Sequence, residues 1–153
     1  STTFVTAMLV LYGVGLAVGN VLGGRFADQS LYGTLIVSLV SVTVLLLLFS
    51  VTMTSAWITA PLIFFWGVGS FAVVPPLQSL VVQEASEAPN LASAMNIGAF
   101  NLGNAVGAAL GGAVISAGLG LPAVSIAGAA TAILGLMMTV FLNRRRQATQ
   151  ALA

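Results

Sequence analysis

Apolar positions along the chain gather into five long runs, separated by short segments that contain glycine, proline and charged residues. Each run holds about 20 or more residues, the length that a helix needs to cross the ~30 Å hydrocarbon core of a bilayer. The predicted spans are residues 4–24, 31–51, 56–82, 91–117 and 123–142. The pattern therefore predicts an all-α, polytopic membrane protein with five transmembrane helices, in a single transmembrane domain over residues 1–153.

Three of the runs have features that affect the expected helix. The third contains Pro61 near its start and the pair Pro75 and Pro76 in its last third, where the missing N–H groups should kink or break it. The second has no polar group stronger than serine and threonine, whose hydroxyls can bond back to their own helix. The fifth is expected to stop at Asn143, where three arginines follow.

The fourth run is long enough to span a bilayer and yet carries three amides. Asn96, Asn101 and Asn104 would each place an amide in hydrocarbon unless they face protein or water, so they are expected to face a bundle interior or a cavity. Glycines on the same helix predict a bare stripe at which a neighbouring helix approaches closely. This helix-packing motif consists of Gly103, Gly107, Gly111 and Gly112. A similar ladder in the first run consists of Gly15, Gly19 and Gly23.

Composition narrows further the class of protein to which the chain can belong. Hydrophobic residues make up 59% of the chain and charged residues 5%, and the mean hydropathy is +1.11, which excludes a soluble domain and makes the lipid bilayer the first partner. The arginines form no basic face, so nucleic acid is not an expected partner. Because the chain has no cysteine and no histidine, no thiol chemistry, no usual zinc site, no other metal site and no cofactor are expected.

Charge placement predicts the orientation of the chain. With five crossings, the turn at Arg25, the connection at Glu84 and the tail at Arg144 fall on one side of the membrane. All four arginines lie on that side, and short cytoplasmic segments retain arginine and lysine. The C-terminus is therefore predicted to be cytoplasmic and Ser1 external. A start on the external face suggests that a segment is missing upstream and that the chain is a fragment.

Two motifs, and one absence, carry a resemblance to a known family. The turn from Gly24 through Arg25 to Asp28 is similar to the start of a cytoplasmic loop signature, which has a glycine, three residues and an aspartate. That signature continues with a basic residue and a glycine, whereas this chain has Gln29 to Leu31 there. The stretch 103–112 is similar to an antiporter signature, with Ala108 in place of its proline, and residues 62–80 lack the arginine of an N-terminal half. The chain thus resembles the C-terminal half of a major facilitator superfamily transporter, in the drug/proton antiporter branch that includes sugar and arabinose efflux permeases.

The resemblance implies alternating access, with two six-helix halves rocking about a solute site at mid-bilayer, in a bacterial inner membrane. This chain would supply five helices of one half, and the missing N-terminal half would be its partner. A small uncharged or amphiphilic solute, such as a sugar or a drug, would be exported. The expected substrate contacts are Asn101 and Asn104, with Tyr12, Phe65 and Trp66 as further candidates. The expected cytoplasmic gating motif consists of Gly24, Arg25 and Asp28.

Other interpretations of the same residues stay open. The asparagines can simply hydrogen-bond to a neighbouring helix, and the aromatic side chains can pack or face lipid. A homo-oligomeric channel or a helical packing subunit is the alternative function. A membrane enzyme is disfavoured, since no nucleophile with a base is visible. All three carboxylates lie at the cytoplasmic edge, so a proton carrier, if the protein is a proton antiporter, is expected in the missing half.

Overall fold

The structure, a computed structural model, describes residues 2–52 and 56–152. Within these residues the chain forms six α-helices. They are α1 (Thr2–Ala27), α2 (Leu31–Thr52), α3 (Ala56–Ala72), α4 (Val74–Glu84), α5 (Pro89–Ser116) and α6 (Gly120–Ala151). Helices α3 and α4 together form one apolar segment, Trp57–Glu84, so that five segments are long and apolar enough to cross a membrane. The prediction of an all-α membrane fold with five spans is confirmed.

The third span is interrupted at Val73, between α3 and α4. Pro75 and Pro76 occupy the first turn of α4, where they donate no N–H to the preceding turn. The α4 ladder begins with the Leu77 N–H, which donates to the Val73 carbonyl at 3.3 Å. The predicted break at the proline pair is therefore present. At Pro61, by contrast, α3 continues without a break although the proline lies inside the helix, so the loss of one N–H there does not interrupt it.

Helix α6 is longer than its apolar run predicted. It was expected to stop at Asn143, but it continues to Ala151. Arginine is a good helix former, and beyond the membrane surface a helix needs no apolar side chains. The guanidinium of Arg145 lies 4.7 Å from the centre of the Phe141 ring one turn earlier, and the Thr149 hydroxyl donates to the Arg145 carbonyl at 3.1 Å. The end of the hydrophobic run is therefore not the end of the helix.

The first glycine ladder brings α1 against α3 at backbone distance. The buried positions of this ladder are Gly15, Gly19 and Gly23. A Cβ added to Gly19 would lie 2.9 Å from the Cα of Val68 and closer still to its carbonyl oxygen. Only residues without a side chain permit this approach. The close packing expected of this ladder is thus present in the fold.

Helix α2 packs against both α3 and α6, and several of its hydroxyls bond back to the preceding turn. The Ser41 and Thr43 hydroxyls each donate to the carbonyl four residues earlier, at 2.8 Å. The Thr34 hydroxyl does the same at 2.7 Å. This confirms the expected back-bonding. The helix thus places no unpaired hydroxyl at these three positions.

Helix α5 lies at the edge of the bundle, in contact with α4 and α6. Ala92 is its one buried residue. It is unbroken through Ala108, the position at which the resembled signature has proline. Among the described residues, no atom lies within 4 Å of a Cβ built on Gly103, Gly107 or Gly112. A Cβ on Gly111 would meet Val124 at an ordinary 3.5 Å. The packing role of this stripe stays a prediction, since most of it faces open space in this chain.

Candidate functional site

A pocket of about 240 Å³ lies between α4 and α5. Its walls combine three amide side chains with apolar and aromatic groups. The lining residues are Phe71, Val74, Leu77, Gln78, Asn96, Ile97, Phe100 and Asn101. The Phe71 and Phe100 rings meet edge to face with their centres 6.5 Å apart, an arrangement favoured by aromatic quadrupoles. The pocket is therefore amphipathic, as sites for small organic ligands usually are.

The pocket lies near the middle of the spans that form it. The break at Val73 falls close to the centre of Trp57–Glu84, and Asn101 falls close to the centre of Pro89–Ser116. Gln78 is five residues beyond the break, or about 7.5 Å along the helix axis. The site therefore extends from mid-membrane towards the end of the bundle at which α4 meets α5.

Gln78 links the two helices through a pair of side-chain hydrogen bonds. Its Nε2 donates to the Ser93 hydroxyl at 2.5 Å, and its Oε1 accepts from Asn96 Nδ2 at 2.7 Å. Each side chain is only partly exposed, and amides in an apolar environment are costly unless they are paired. The Gln78, Ser93 and Asn96 side chains, here called the α4–α5 clasp, therefore hold one wall of the pocket in register with the other.

The amide of Asn101 faces the same pocket but takes no part in the α4–α5 clasp. Its side chain is exposed, and no described residue forms a hydrogen bond with it. A primary amide offers two N–H donors and two acceptor lone pairs. The whole hydrogen-bonding capacity of Asn101 is therefore open to a ligand.

The remaining substrate candidates from the sequence do not converge on this pocket. Asn104 is exposed on α5 and is not among the residues of the pocket wall. Tyr12 stacks on Trp66 with ring centres 4.9 Å apart, and Phe49 meets Trp66 edge-on at 6.2 Å. Phe65 lies on the wall of a separate groove. The five candidates thus fall in different parts of the bundle, and their role in binding stays a prediction.

A larger groove of about 720 Å³ lies between α1, α2 and α3. Most of its wall is hydrocarbon from residues such as Leu22, Val37 and Val68. The Thr34 and Ser41 hydroxyls that reach it donate to carbonyls of their own helix. Because its wall is mainly hydrocarbon and carries a single amide, that of Gln29, this groove is less suited than the smaller pocket to recognise a polar solute.

The predicted gating motif lies at the end of α1 and in the turn that follows. The Asp28 N–H donates to the Gly24 carbonyl at 3.2 Å, and Arg25 and Asp28 are exposed. No described residue forms an ion pair with either side chain. At the C-terminal ends of α4 and α6, Glu84 and Arg146 approach to 3.8 Å. A gating role for the motif therefore depends on contacts that this chain alone does not make.

Gln78 is the residue that the sequence analysis missed. It lies two positions after Pro76, inside an apolar run, and its amide is one of few in the spans. Polar groups at membrane depth are functional or structural by necessity, so the signal was present. Its pairing with α5, however, depends on a register that only the folded structure provides.

Comparison with known proteins assigns the chain to a family. A sequence model described as the Major Facilitator Superfamily matches residues 1–152. The chain belongs to the major facilitator superfamily. This confirms the resemblance drawn from the turn motif and the glycine-rich helix, and members of this superfamily are transporters.

Several curated members of the superfamily are similar to the chain. The inner membrane transport protein YdhP of Escherichia coli K12 is 54% identical over 144 residues, which cover 94% of this chain and 37% of YdhP. A probable sugar efflux transporter of Helicobacter pylori J99 is 32% identical, covering 94% of this chain and 36% of that protein. The putative transporter AraJ of Escherichia coli K12 is 34% identical, covering 99% and 38%.

These curated relatives are much longer than the chain, which spans somewhat more than a third of their length. No solved structure matches the chain. The pocket between α4 and α5 is therefore described from this structure alone.

Proposed function

We propose that this chain is part of the C-terminal half of a secondary transporter that exports a small uncharged or amphiphilic solute, such as a sugar or a drug. Transport would occur by alternating access in a bacterial inner membrane, with the C-terminus in the cytoplasm. The observation that carries the proposal is the amide-lined pocket beside the broken span. Interrupted helices near mid-bilayer are a recurring feature of transporter sites.

The chemistry of the pocket supports a neutral solute. No charged residue is part of its wall, and an anion or cation at this depth would need a counter-charge. Asp28, Glu84 and Glu87 are exposed at or beyond helix ends. If transport is driven by protons, the titrating group belongs to the part of the transporter outside this chain.

The open surface of the bundle supports a larger assembly. Helix α5 buries Ala92 alone, and the relatives extend well beyond the matched region. We propose that the missing N-terminal half covers this surface, with the α5 glycine stripe as a packing contact. Arg25 and Asp28 would then latch the cytoplasmic face by charge contacts with that half.

The test is transport by the full-length protein carrying single substitutions on α5. Asn101→Leu should reduce efflux of the solute by about tenfold, since it removes all of the free hydrogen-bonding groups at that position. Asn104→Leu tests the second predicted contact, which lies outside the pocket wall. Efflux from loaded vesicles would be measured at matched membrane levels. Wild-type efflux by both variants would contradict a substrate role for either asparagine.

A further inference from the structure

We propose that Gln78 determines solute specificity, and that the α4–α5 pocket takes the hydroxyl-bearing part of a neutral polyol. This inference rests on the proposed transport function, because it names the solute class of the same site. It assigns a binding role to a residue of α4 that acts together with Asn101 of α5. The two amides face one pocket from opposite helices.

The Gln78 amide uses only half of its hydrogen-bonding capacity within this chain. A primary amide has two N–H donors and two acceptor lone pairs. In Gln78, one donor is taken by Ser93 and one acceptor site by Asn96. One N–H and one lone pair therefore remain on a side chain that lines the pocket. A hydroxyl group, which both donates and accepts, matches this remaining pair.

The α4–α5 clasp fixes the direction of the Gln78 amide before a solute arrives. Both of its bonds run to α5, at 2.5 and 2.7 Å. A side chain held in this way loses little further rotational freedom on binding, which is the general advantage of a preorganised site. Gln78 is thus suited to distinguish a hydroxyl from a hydrogen atom at one position of a solute.

The size and walls of the pocket define what part of a solute it takes. Its 240 Å³ lies just below the range of about 300–1,000 Å³ that is usual for small-molecule sites. That space suits one small ring or a short polyol, not a multi-ring compound as a whole. The Phe71 and Phe100 rings supply an apolar wall for the C–H face of such a ring, while Gln78 and Asn101 address its hydroxyls.

Equilibrium binding to the purified full-length transporter tests the assignment. The probes are glycerol, D-xylose and D-glucose, each in labelled form, with the monodeoxy analogues of xylose as competitors. The wild type should bind at least one probe, and loss of one hydroxyl should weaken xylose binding by about two- to tenfold. In Gln78→Leu the ratio of the affinity for xylose to the affinity for its deoxy analogue should fall towards one. If the wild type binds none of the three probes, the assignment is overturned.

Ser93→Ala is the matched control, because it removes a clasp bond and leaves the Gln78 amide in place. It should lower thermal stability as Gln78→Leu does. It should still bind xylose more tightly than the deoxy analogues, because the bond from Asn96 continues to direct the Gln78 amide. If Gln78→Leu also keeps that preference, Gln78 is only a structural link and the inference fails. A wild type that binds xylose but does not move it across vesicles would instead overturn the proposed transport function alone.

Discussion

At the scale of single residues, Gly19 occupies the closest approach between two helices. A Cβ at this position would lie 2.9 Å from the Val68 Cα, which belongs to the backbone of α3 and cannot rotate away. We expect Gly19→Ala to destabilise the full-length protein by about 1–3 kcal/mol, the usual cost of overpacking. Thermal unfolding of the purified protein in detergent would measure the effect.

Gly13→Ala provides the control for this prediction on the same helix. No described atom lies within 4 Å of a Cβ at Gly13, so the added methyl meets open space. Alanine is also the better helix former. We therefore expect unchanged or slightly raised stability for Gly13→Ala. Equal destabilisation of both variants would show that α1 and α3 are not packed through the Gly19 backbone.

Single residues also show where prediction from sequence ends. The position of Asn101 near the centre of its span follows from counting along an apolar run, because helix rise is constant. The partner of Asn96 did not follow, since its bond to Gln78 joins residues 18 apart on two helices. Neither periodicity nor composition contains the relative rotation of α4 and α5. The pairing that builds the candidate pocket therefore had to be read from the fold.

At the scale of elements, the break between α3 and α4 is the feature with the clearest consequence. Pro75 and Pro76 lack the N–H groups that would complete the ladder across Val73. Replacing both with alanine should extend one helix through the break and move the pocket wall. We expect Pro75→Ala with Pro76→Ala to keep or raise thermal stability, since alanine restores the missing N–H groups and is the best helix former, while efflux falls at least tenfold.

Pro61→Ala is the comparison for the proline pair, since α3 already passes through Pro61 unbroken. It should leave efflux within about twofold of wild type, because no break lies there to be removed. Efflux rates from vesicles at matched protein levels would distinguish the variants. Wild-type efflux by the Pro75 and Pro76 double variant would show that the break is not needed for transport.

The helices could be predicted from sequence wherever the thickness of the membrane determines their length. Five apolar runs became five spans because a bilayer requires about 20 apolar residues per helix. The break at the proline pair could also be predicted, because the missing N–H groups act on the helix locally. The end of α6 could not, since its residues beyond Asn143 form helix without an apolar run. Boundaries inside the membrane were therefore easier to predict than boundaries outside it.

At the scale of the whole molecule, the charged ends gather on one side of the bundle. Arg146 lies 3.8 Å from Glu84 and 5.9 Å from the ring of Tyr32, so α2, α4 and α6 share this end. By the positive-inside rule, the proposed orientation places this end in the cytoplasm. A tag fused after residue 153 should resist protease added outside intact cells, while a tag inserted after Gly118 should be cleaved. The reverse cleavage pattern would overturn the proposed orientation.

The open face of α5 yields the last prediction. Gly103 and Gly107 lie seven residues beyond Asn96 and Phe100, which places them on the side of the helix that lines the pocket. No described atom lies within 4 Å of a Cβ at either glycine. If the missing half covers this face, Gly107→Leu must clash with it in the full-length protein. We expect a loss of about 2 kcal/mol or more of stability, together with loss of efflux.

Gly98→Leu separates this effect from a general intolerance of leucine on α5. Gly98 and Gly107 are nine residues apart, or two and a half helical turns, so they project from opposite sides of the helix. A Cβ at Gly98 also meets no described atom within 4 Å. Tolerance of leucine at Gly98 but not at Gly107 would mean that another helix lies along the pocket side of α5. Tolerance at both would leave that side open to solute or lipid, and the glycine stripe would have no packing partner.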